Sequence, residues 1–195
     1  TRLYPNGALA SHILGGASFG KEGVHSAEIV GVAGIEKTFD QKLRNPARSK
    51  KPLKLTIDLS VQAAVEHVLE GGMQLLNAKG AVAILMEVDT GQIVSLASLP
   101  DFDPNHRPRL PVRGAAAESP LFNKAIQGVY DLGSTFKIFT VAQALELGLI
   151  DPKTKINTTG PIKIGGYKIN DYRNNGPELP VWEVITKSSN LGTAR

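Results

Sequence analysis

The stretch VYDLGSTFKIFTVAQALELG, residues 129–148, sets a serine and a lysine three residues apart at the start of an apolar segment. Residues i and i+3 share one face of a helix, so Lys137 is predicted to lie beside Ser134 on the first turn. The apolar side chains behind this pair predict a helix that faces a core. They are Phe136, Ile138, Phe139, Val141, Ala142 and Leu145.

Two interpretations of the pair stay open at this point. Burial and the positive end of the helix dipole both favour a neutral Lys137, which could take a proton from the Ser134 hydroxyl. First-turn N–H groups would also stabilise a developing oxyanion. The alternative is a lysine that snorkels off a core helix, with Ser134 as its cap. Ser18 and Lys21 show the same spacing among glycines, where no helix would fix their geometry.

The composition is that of a soluble globular chain of 195 residues, with 42% apolar and 21% charged residues. It has no cysteine, which excludes disulfide and thiolate chemistry. A net charge of +4 is too small to indicate a nucleic-acid partner. No apolar run is long enough to span a bilayer. No metal or other cofactor is expected, because the histidines lack zinc-ligand spacing and Asp101, Asp103 and Asn105 only begin a calcium-loop pattern that Pro104 interrupts.

The N-terminal part is predicted to be organised differently from the rest. Residues 1–34 are glycine-rich and predict irregular structure with short strands, residues 34–43 could form a short helix, and residues 1–45 together form the first predicted domain. A basic linker follows, and we place the domain boundary near residues 45–52, so that 46–195 form the second domain. The basic residues are predicted to form a solvated linker or, less favoured, to contact an anionic polymer. They are Arg44, Arg48, Lys50, Lys51 and Lys54.

Strands and helices alternate irregularly in the second domain, which favours an α+β fold over a doubly wound sheet. LKLTI (53–57) predicts a strand, and residues 61–76 carry a helical stripe that Asp58 or Ser60 could cap. Gly71 and Gly72 are expected to weaken the end of that helix.

Two hairpins are predicted. AVAILMEV (81–88) and QIVSLAS (92–98) flank a tight turn, and the first strand is apolar enough to be buried on both faces. IKIGGYKI (162–169) predicts the other hairpin, residues 99–111 predict a proline-rich loop, and a last helix is expected near 181–195.

A second polar motif changes the interpretation of the serine and lysine. Ser188, Ser189 and Asn190 supply a hydroxyl and an amide later in the chain. S-x-x-K followed by S-x-N, in this order, is the pattern of penicillin-binding proteins and class A β-lactamases. Neither motif alone is specific, since small polar residues often form caps and turns.

The chain resembles class B penicillin-binding proteins, the D,D-transpeptidases that cross-link peptidoglycan. GSTFK (133–137) and KSSN (187–190) are similar to the motifs of the transpeptidase domain. RLYPNGALASHILG resembles the end of the family's N-terminal pedestal and favours the division-specific, septal branch. The other matching stretches are GVAGIEKTFDQKL, LTIDLSVQ and EVDTGQIVSLASLPDFDPN.

The resemblance implies a penicillin-binding-protein or serine β-lactamase-like fold preceded by a pedestal remnant. It also implies site roles. Ser134 would be the acylated nucleophile, Lys137 its base, Ser188 a proton relay to the leaving nitrogen, and Asn190 a support for Lys137 and the substrate amide. Gly133 and Ser189 would lie at the substrate. The implied substrates are stem peptides ending in D-Ala-D-Ala, and β-lactams would acylate the same serine.

Two departures from the family pattern matter. Leu132 stands where a proline is commoner, which we expect to affect chemistry little. No K-T-G occurs in the sequence, although the family uses that strand for the substrate carboxylate and half of the oxyanion hole. We therefore expect a piece of a longer protein, divided after Arg195 and inactive without its K-T-G segment. The resemblance also implies an inner-membrane anchor outside this chain, a periplasmic catalytic domain and divisome partners.

Two other functions stay open. A serine β-lactamase would hydrolyse the acyl-enzyme, although a compact hydrolase has no need of the pedestal-like residues 1–44. A β-lactam sensor or divisome scaffold would bind without turnover.

Overall fold

The computed structural model describes residues 2–19, 29–48, 51–109 and 113–195. The chain divides into two compact units, Thr1–Val129 and Tyr130–Arg195. Both contain helices and strands, so the predicted α+β class is confirmed. Among the described residues, no helix combines the length and apolar character needed to cross a membrane. The predicted domain boundary near residues 45–52 stays a prediction.

The first unit contains two antiparallel strand pairs, β1 with β2 and β3 with β4. Its helices and strands are α1 Ser11–Leu14, β1 Gly16–Phe19, β2 Ile29–Ala33, α2 Gly34–Thr38, α3 Asp40–Arg44, α4 Leu59–Leu76, β3 Ala81–Met86, β4 Ile93–Leu99 and α5 Lys124–Gln127. Short 3₁₀ turns lie at Pro46–Arg48, Pro104–His106 and Ala116–Glu118.

The long helix α4 begins where the sequence predicts. The Asp58 carboxylate accepts the N–H groups of Ser60 and Val61, which satisfies two of the helix's free donors. The helix continues through Gly71 and Gly72 to Leu76, so the glycines do not end it.

Helix α4 is attached to β4 by a buried polar side chain. Gln62 is fully buried, and its amide donates to Leu96 O at 2.8 Å and accepts Leu96 N–H at 2.9 Å. The Ser95 hydroxyl donates to the same amide oxygen at 2.8 Å. Because the buried groups satisfy one another, they fix the register of the helix on the strand.

The hairpin of β3 and β4 is confirmed, with Ala83 opposite Ala97. Two related predictions are wrong. LKLTI forms no strand, although Thr56 Oγ1 donates to Ile93 O at 2.6 Å beside β4. Strand β3 is not buried on both faces, because β4 is its only neighbour among the described strands and Ile84 and Leu85 are half exposed.

The N-terminal residues pack against the loop after β4. Asn105 accepts Tyr4 N–H at 3.0 Å and donates to Tyr4 O at 2.8 Å. Glu66 on α4 accepts Ala10 N–H at 3.0 Å, and Arg107 donates to Gly15 O at 3.3 Å. These bonds tie the N-terminal segment to α4 and to this loop, of which residues 110 and 111 lie outside the described ranges.

The basic linker and the second S-x-x-K match are only partly described. Lys50 and Lys21 lie outside the described residues, while Ser18 lies in strand β1. Arg44 pairs with Asp40 at 2.9 Å, so at least one linker cation has an internal partner.

The second unit contains two more antiparallel pairs, β5 with β8 and β6 with β7. Its elements are a 3₁₀ turn Gly133–Phe136, α6 Lys137–Glu146, β5 Lys155–Asn157, β6 Ile162–Ile164, β7 Tyr167–Ile169, β8 Glu178–Pro180, α7 Val181–Thr186 and α8 Asn190–Ala194. The buried apolar residues of this unit are Leu179, Val181, Val184 and Leu191.

The final helix and the core position of α6 differ from the predictions. The expected last helix is two helices, α7 and α8, interrupted at residues 187–189. Helix α6 does not face a core in the described part of the chain, since Phe136, Ile138 and Phe139 are 57%, 58% and 63% exposed. Periodicity identified the apolar side chains but not what covers them.

Candidate active site

Ser134 lies in an exposed turn at the start of α6. The turn Gly133–Phe136 is a 3₁₀ helix rather than the predicted first α-helical turn. Residues i and i+3 eclipse one another in a 3₁₀ helix, so Ser134 and Lys137 still share a face. Gly133 has a φ of 52°, which glycine adopts without a steric penalty, and its N–H donates to Asp131 Oδ1 at 3.0 Å.

The Lys137 side chain joins the first motif to the second. Its Nζ lies 2.6 Å from Ser188 O, 3.0 Å from Ser188 Oγ and 2.6 Å from Asn190 Oδ1. These residues are 51 and 53 positions away in the chain. No hydrogen bond among the described residues involves Ser134 Oγ, so the hydroxyl is open to an incoming group.

This arrangement suits either protonation state of the lysine. A charged ammonium has three protons and could donate to all three oxygens. A neutral amine would donate to Ser188 O and Asn190 Oδ1, and its lone pair would accept the Ser188 hydroxyl proton. The cluster can therefore pass a proton between Lys137 and Ser188 without changing its heavy-atom geometry.

Burial lowers the pKa of the Lys137 ammonium below its ordinary value, and the negative charge of Asp171 opposes that change. Desolvation disfavours the charged form of a lysine, so the neutral amine is easier to reach here than on an open surface. The side chain is only half-buried, and the core that the sequence predicted against α6 is absent among the described residues.

The second motif is held in a strained turn between α7 and α8. Ser188 has a φ of 52°, which costs a residue with a side chain about 1–2 kcal/mol. The turn directs both the carbonyl and the hydroxyl of Ser188 at Lys137. Such strain persists only where neighbouring contacts hold the chain in place.

Ser189 provides part of that support. It is 0% exposed, its hydroxyl donates to Asp171 Oδ2 at 2.7 Å, and it accepts Gly192 N–H at 2.9 Å as the cap of α8. The Ser189 hydroxyl thus makes both of its hydrogen bonds to residues of the second unit. The substrate contacts expected of Ser189 and Gly133 stay predictions.

Asp171 is a positioning residue that the sequence did not reveal. Besides Ser189, its carboxylate accepts Leu191 N–H and the Asn175 amide, both at 2.9 Å. Burial would raise the pKa of Asp171, but these hydrogen bonds outweigh it and lower the pKa below the ordinary value. The ionised carboxylate therefore fixes both sides of Asn190.

Asn190 is oriented through its amide nitrogen by Asn170, the residue before Asp171. Its amide nitrogen donates to Asn170 O at 2.7 Å, which turns the amide oxygen to Lys137. Strand β7 ends at Ile169, immediately before Asn170 and Asp171. The β6–β7 hairpin thus carries the two residues that orient the S-x-N motif.

The described residues contain no cluster of histidine, aspartate and glutamate side chains that could hold a metal ion. The groups gathered around Lys137 are hydroxyl, amide and carbonyl oxygens. They are suited to moving protons and holding a peptide amide.

The sequence that forms this site matches a known protein family. The family model for the penicillin-binding protein transpeptidase domain matches residues 81–195, more than half of the chain. The matched range includes both motifs and Asp171.

Relatives match over nearly the whole chain. It is 37% identical over 194 residues to the probable peptidoglycan D,D-transpeptidase FtsI of Caulobacter vibrioides, covering 99% of this chain and 31% of that protein. It is 27% identical over 216 residues to FtsI of Escherichia coli K12, with 100% and 34% covered. It is 29% identical over 211 residues to the probable transpeptidase PenA of Neisseria gonorrhoeae, with 100% and 35% covered. The chain spans about a third of the length of these relatives.

Proposed function

The chain belongs to the family of penicillin-binding protein transpeptidase domains, and on that premise we propose that it supplies the nucleophile, base and proton relay of a peptidoglycan D,D-transpeptidase. The observation that carries this proposal is the contact of Lys137 Nζ with both Ser188 and Asn190. The two motifs form one hydrogen-bonded cluster beside an unoccupied serine hydroxyl.

The proposed reaction is acyl transfer through Ser134. Neutral Lys137 takes the hydroxyl proton as Ser134 Oγ attacks the carbonyl carbon of the penultimate D-Ala. Ser188 passes its hydroxyl proton to the nitrogen of the last D-Ala, which leaves as the free amino acid, and the Lys137 ammonium returns the proton taken from Ser134 to Ser188 Oγ. An amine from a neighbouring stem peptide then attacks the ester, regenerates the serine and completes the cross-link.

The same chemistry accounts for the proposed inhibitor class. A β-lactam presents an amide carbonyl to Ser134, and ring opening leaves the acyl group on the serine. Asn190 is proposed to hold the amide side chain of either ligand, since its own amide is fixed by Asn170 and Lys137.

We further propose that a longer protein contains this chain and supplies a K-T-G segment. The greater length of the relatives supports this. The exposed apolar side chains Phe136, Ile138 and Phe139 offer a surface for that remaining part to cover. The proposed setting is the periplasmic face of the inner membrane during septal cell-wall synthesis, with divisome proteins as partners.

The proposal is tested by incubating the full-length protein with a fluorescent penicillin. Stable labelling that Ser134→Ala abolishes supports a transpeptidase site. Rapid loss of the label favours a serine β-lactamase, whereas stable labelling without cross-linking of stem peptides favours a sensor. Failure of the correctly folded protein to label would refute acylation at Ser134.

The acylation rate is also expected to depend on pH. Lys137 must be neutral to accept the serine proton, so the rate should rise as pH increases through the pKa of Lys137. Because burial lowers that pKa, the midpoint should lie below that of an ordinary lysine. Stopped-flow acylation between about pH 6 and pH 11 measures it. A midpoint at or above the ordinary lysine value would contradict the role of burial.

A further inference from the structure

The β6–β7 hairpin carries two lysines directly opposite one another. Lys163 pairs in register with Lys168, so both ammonium groups project from one face. Like charges in directly opposed positions destabilise a strand pair. A two-residue turn, Gly165–Gly166, closes the hairpin with positive φ at both positions, which fixes this register.

Three of the four other lysines in residues 130–195 have oxygen partners for their side chains, and Lys153 is the exception among the described residues. Lys155 pairs with Glu178, Lys187 with Glu183, and Lys137 lies in the site cluster. Lys163 and Lys168 are exposed and form no ion pair or hydrogen bond through their side chains with the described residues. The hairpin therefore keeps two unneutralised positive charges close together.

The opposite face of the hairpin is apolar and exposed at its tip. Ile164 is 58% exposed and Tyr167, directly opposite it, is 81% exposed. The lysines and these apolar side chains therefore face opposite sides of the hairpin, so an anionic ligand would meet the positive charge on the lysine face.

A polar groove continues from the base of the hairpin. It has a volume of about 530 Å³ and lies between residues 158–160 and 170–177. Arg173 lines this groove with its guanidinium 5.9 Å from the ring of Tyr172, and it has no acidic partner among the described residues. The Asp171 carboxylate also lines the groove, but it accepts hydrogen bonds from Ser189, Leu191 and Asn175. Asn170 lines the groove and also holds Asn190, which connects the groove to the active site.

We propose that the Lys163–Lys168 hairpin and the adjoining groove bind the anionic peptidoglycan strand during cross-linking. The inference rests on the proposed function and names a further surface of this protein that would bind the same substrate. Stem peptides carry free carboxylates, and a polymeric strand presents them repeatedly. One stem can occupy Ser134 while the carboxylates of the strand bind the paired lysines, because strand β7 leads directly into Asn170 and Asp171.

The test uses the full-length protein with a polymeric peptidoglycan strand as substrate. In Lys163→Ala/Lys168→Ala, the KM for the strand is expected to rise about three- to tenfold, as two exposed charge contacts are lost. The matched control Lys79→Ala/Lys153→Ala removes the same charge from exposed positions and should leave this KM unchanged. Penicillin acylation of Ser134, measured in parallel, reports whether the site is assembled.

The outcomes separate this inference from the proposed function. Absence of acylation in the unmodified protein refutes the proposed function. Acylation with an unchanged KM in the hairpin variant overturns the inference and indicates that the lysines serve another anion, such as an acidic protein partner.

A second measurement needs no variant. The KM of the unmodified protein for the strand should increase between about 0.05 and 0.3 M salt, because salt screens exposed charges. If the hairpin variant loses acylation, this salt response decides, and a KM independent of salt overturns the inference.

Discussion

Replacing Lys137 with alanine in the full-length protein is expected to slow acylation of Ser134 by penicillin about 10²- to 10⁴-fold. The substitution removes the group that accepts the serine proton. It also removes the donor to Ser188 O and Asn190 Oδ1. Water can reach these exposed oxygens, so the fold should survive.

The Lys137→Arg variant distinguishes the role of Lys137 as a base from the role of its positive charge. Arginine keeps the positive charge and can donate to the same oxygens, but it does not become neutral in proteins. If Lys137 acts as the base, the arginine variant should be as slow as the alanine variant. Acylation by Lys137→Arg at the original rate would contradict the base role, and Lys153→Ala controls for the loss of a lysine from the unit.

Replacing Asp171 with asparagine is expected to slow acylation about 10- to 100-fold, because hydrogen bonds to a charged group contribute about 1.5–3 kcal/mol each. An asparagine has one acceptor oxygen, whereas the carboxylate uses two for Ser189, Leu191 and Asn175. The turn that presents Ser188 and Asn190 should then be held less firmly in the conformation that contacts Lys137. Acylation kinetics measured together with the thermal transition test this effect.

Asp151→Asn provides the matched control for this prediction. Asp151 also accepts backbone N–H groups, from Lys153 and Thr154, and within the described part of the chain its carboxylate makes no hydrogen bond to Lys137, Ser188 or Asn190. The control variant should acylate at the original rate. Equal slowing in both variants, or none in Asp171→Asn, would contradict the positioning role.

The sequence predicted the parts of the fold that depend on local signals. Asp58 caps α4, and the turns after β3 and β6 form the expected hairpins. The strand predicted at residues 53–57 failed because β-branched, alternating residues indicate a strand only where a neighbouring strand is available. Periodicity also could not show that Phe136 and Ile138 would be exposed, since burial depends on distant parts of a protein.

The candidate site was predictable to a similar extent. The order of the motifs indicated that Ser134, Lys137, Ser188 and Asn190 belong together, and the structure brings the last three into contact. Asp171 and Asn170 carried no recognisable signal, because their role depends on where β7 ends relative to α8. The strained φ of Ser188 was also invisible, since a serine in that conformation is uncommon and depends on its surroundings.

The central claim is that Ser134, rather than Ser188 beside Lys137, becomes acylated. The most direct measurement is mass spectrometry of the full-length protein after penicillin treatment and trypsin digestion. The two serines fall in separate tryptic peptides, residues 125–137 and 188–195. The account predicts one penicilloyl adduct, on Ser134 in the first peptide. An adduct on residues 188–195, or no adduct on a protein shown to be folded, would contradict it.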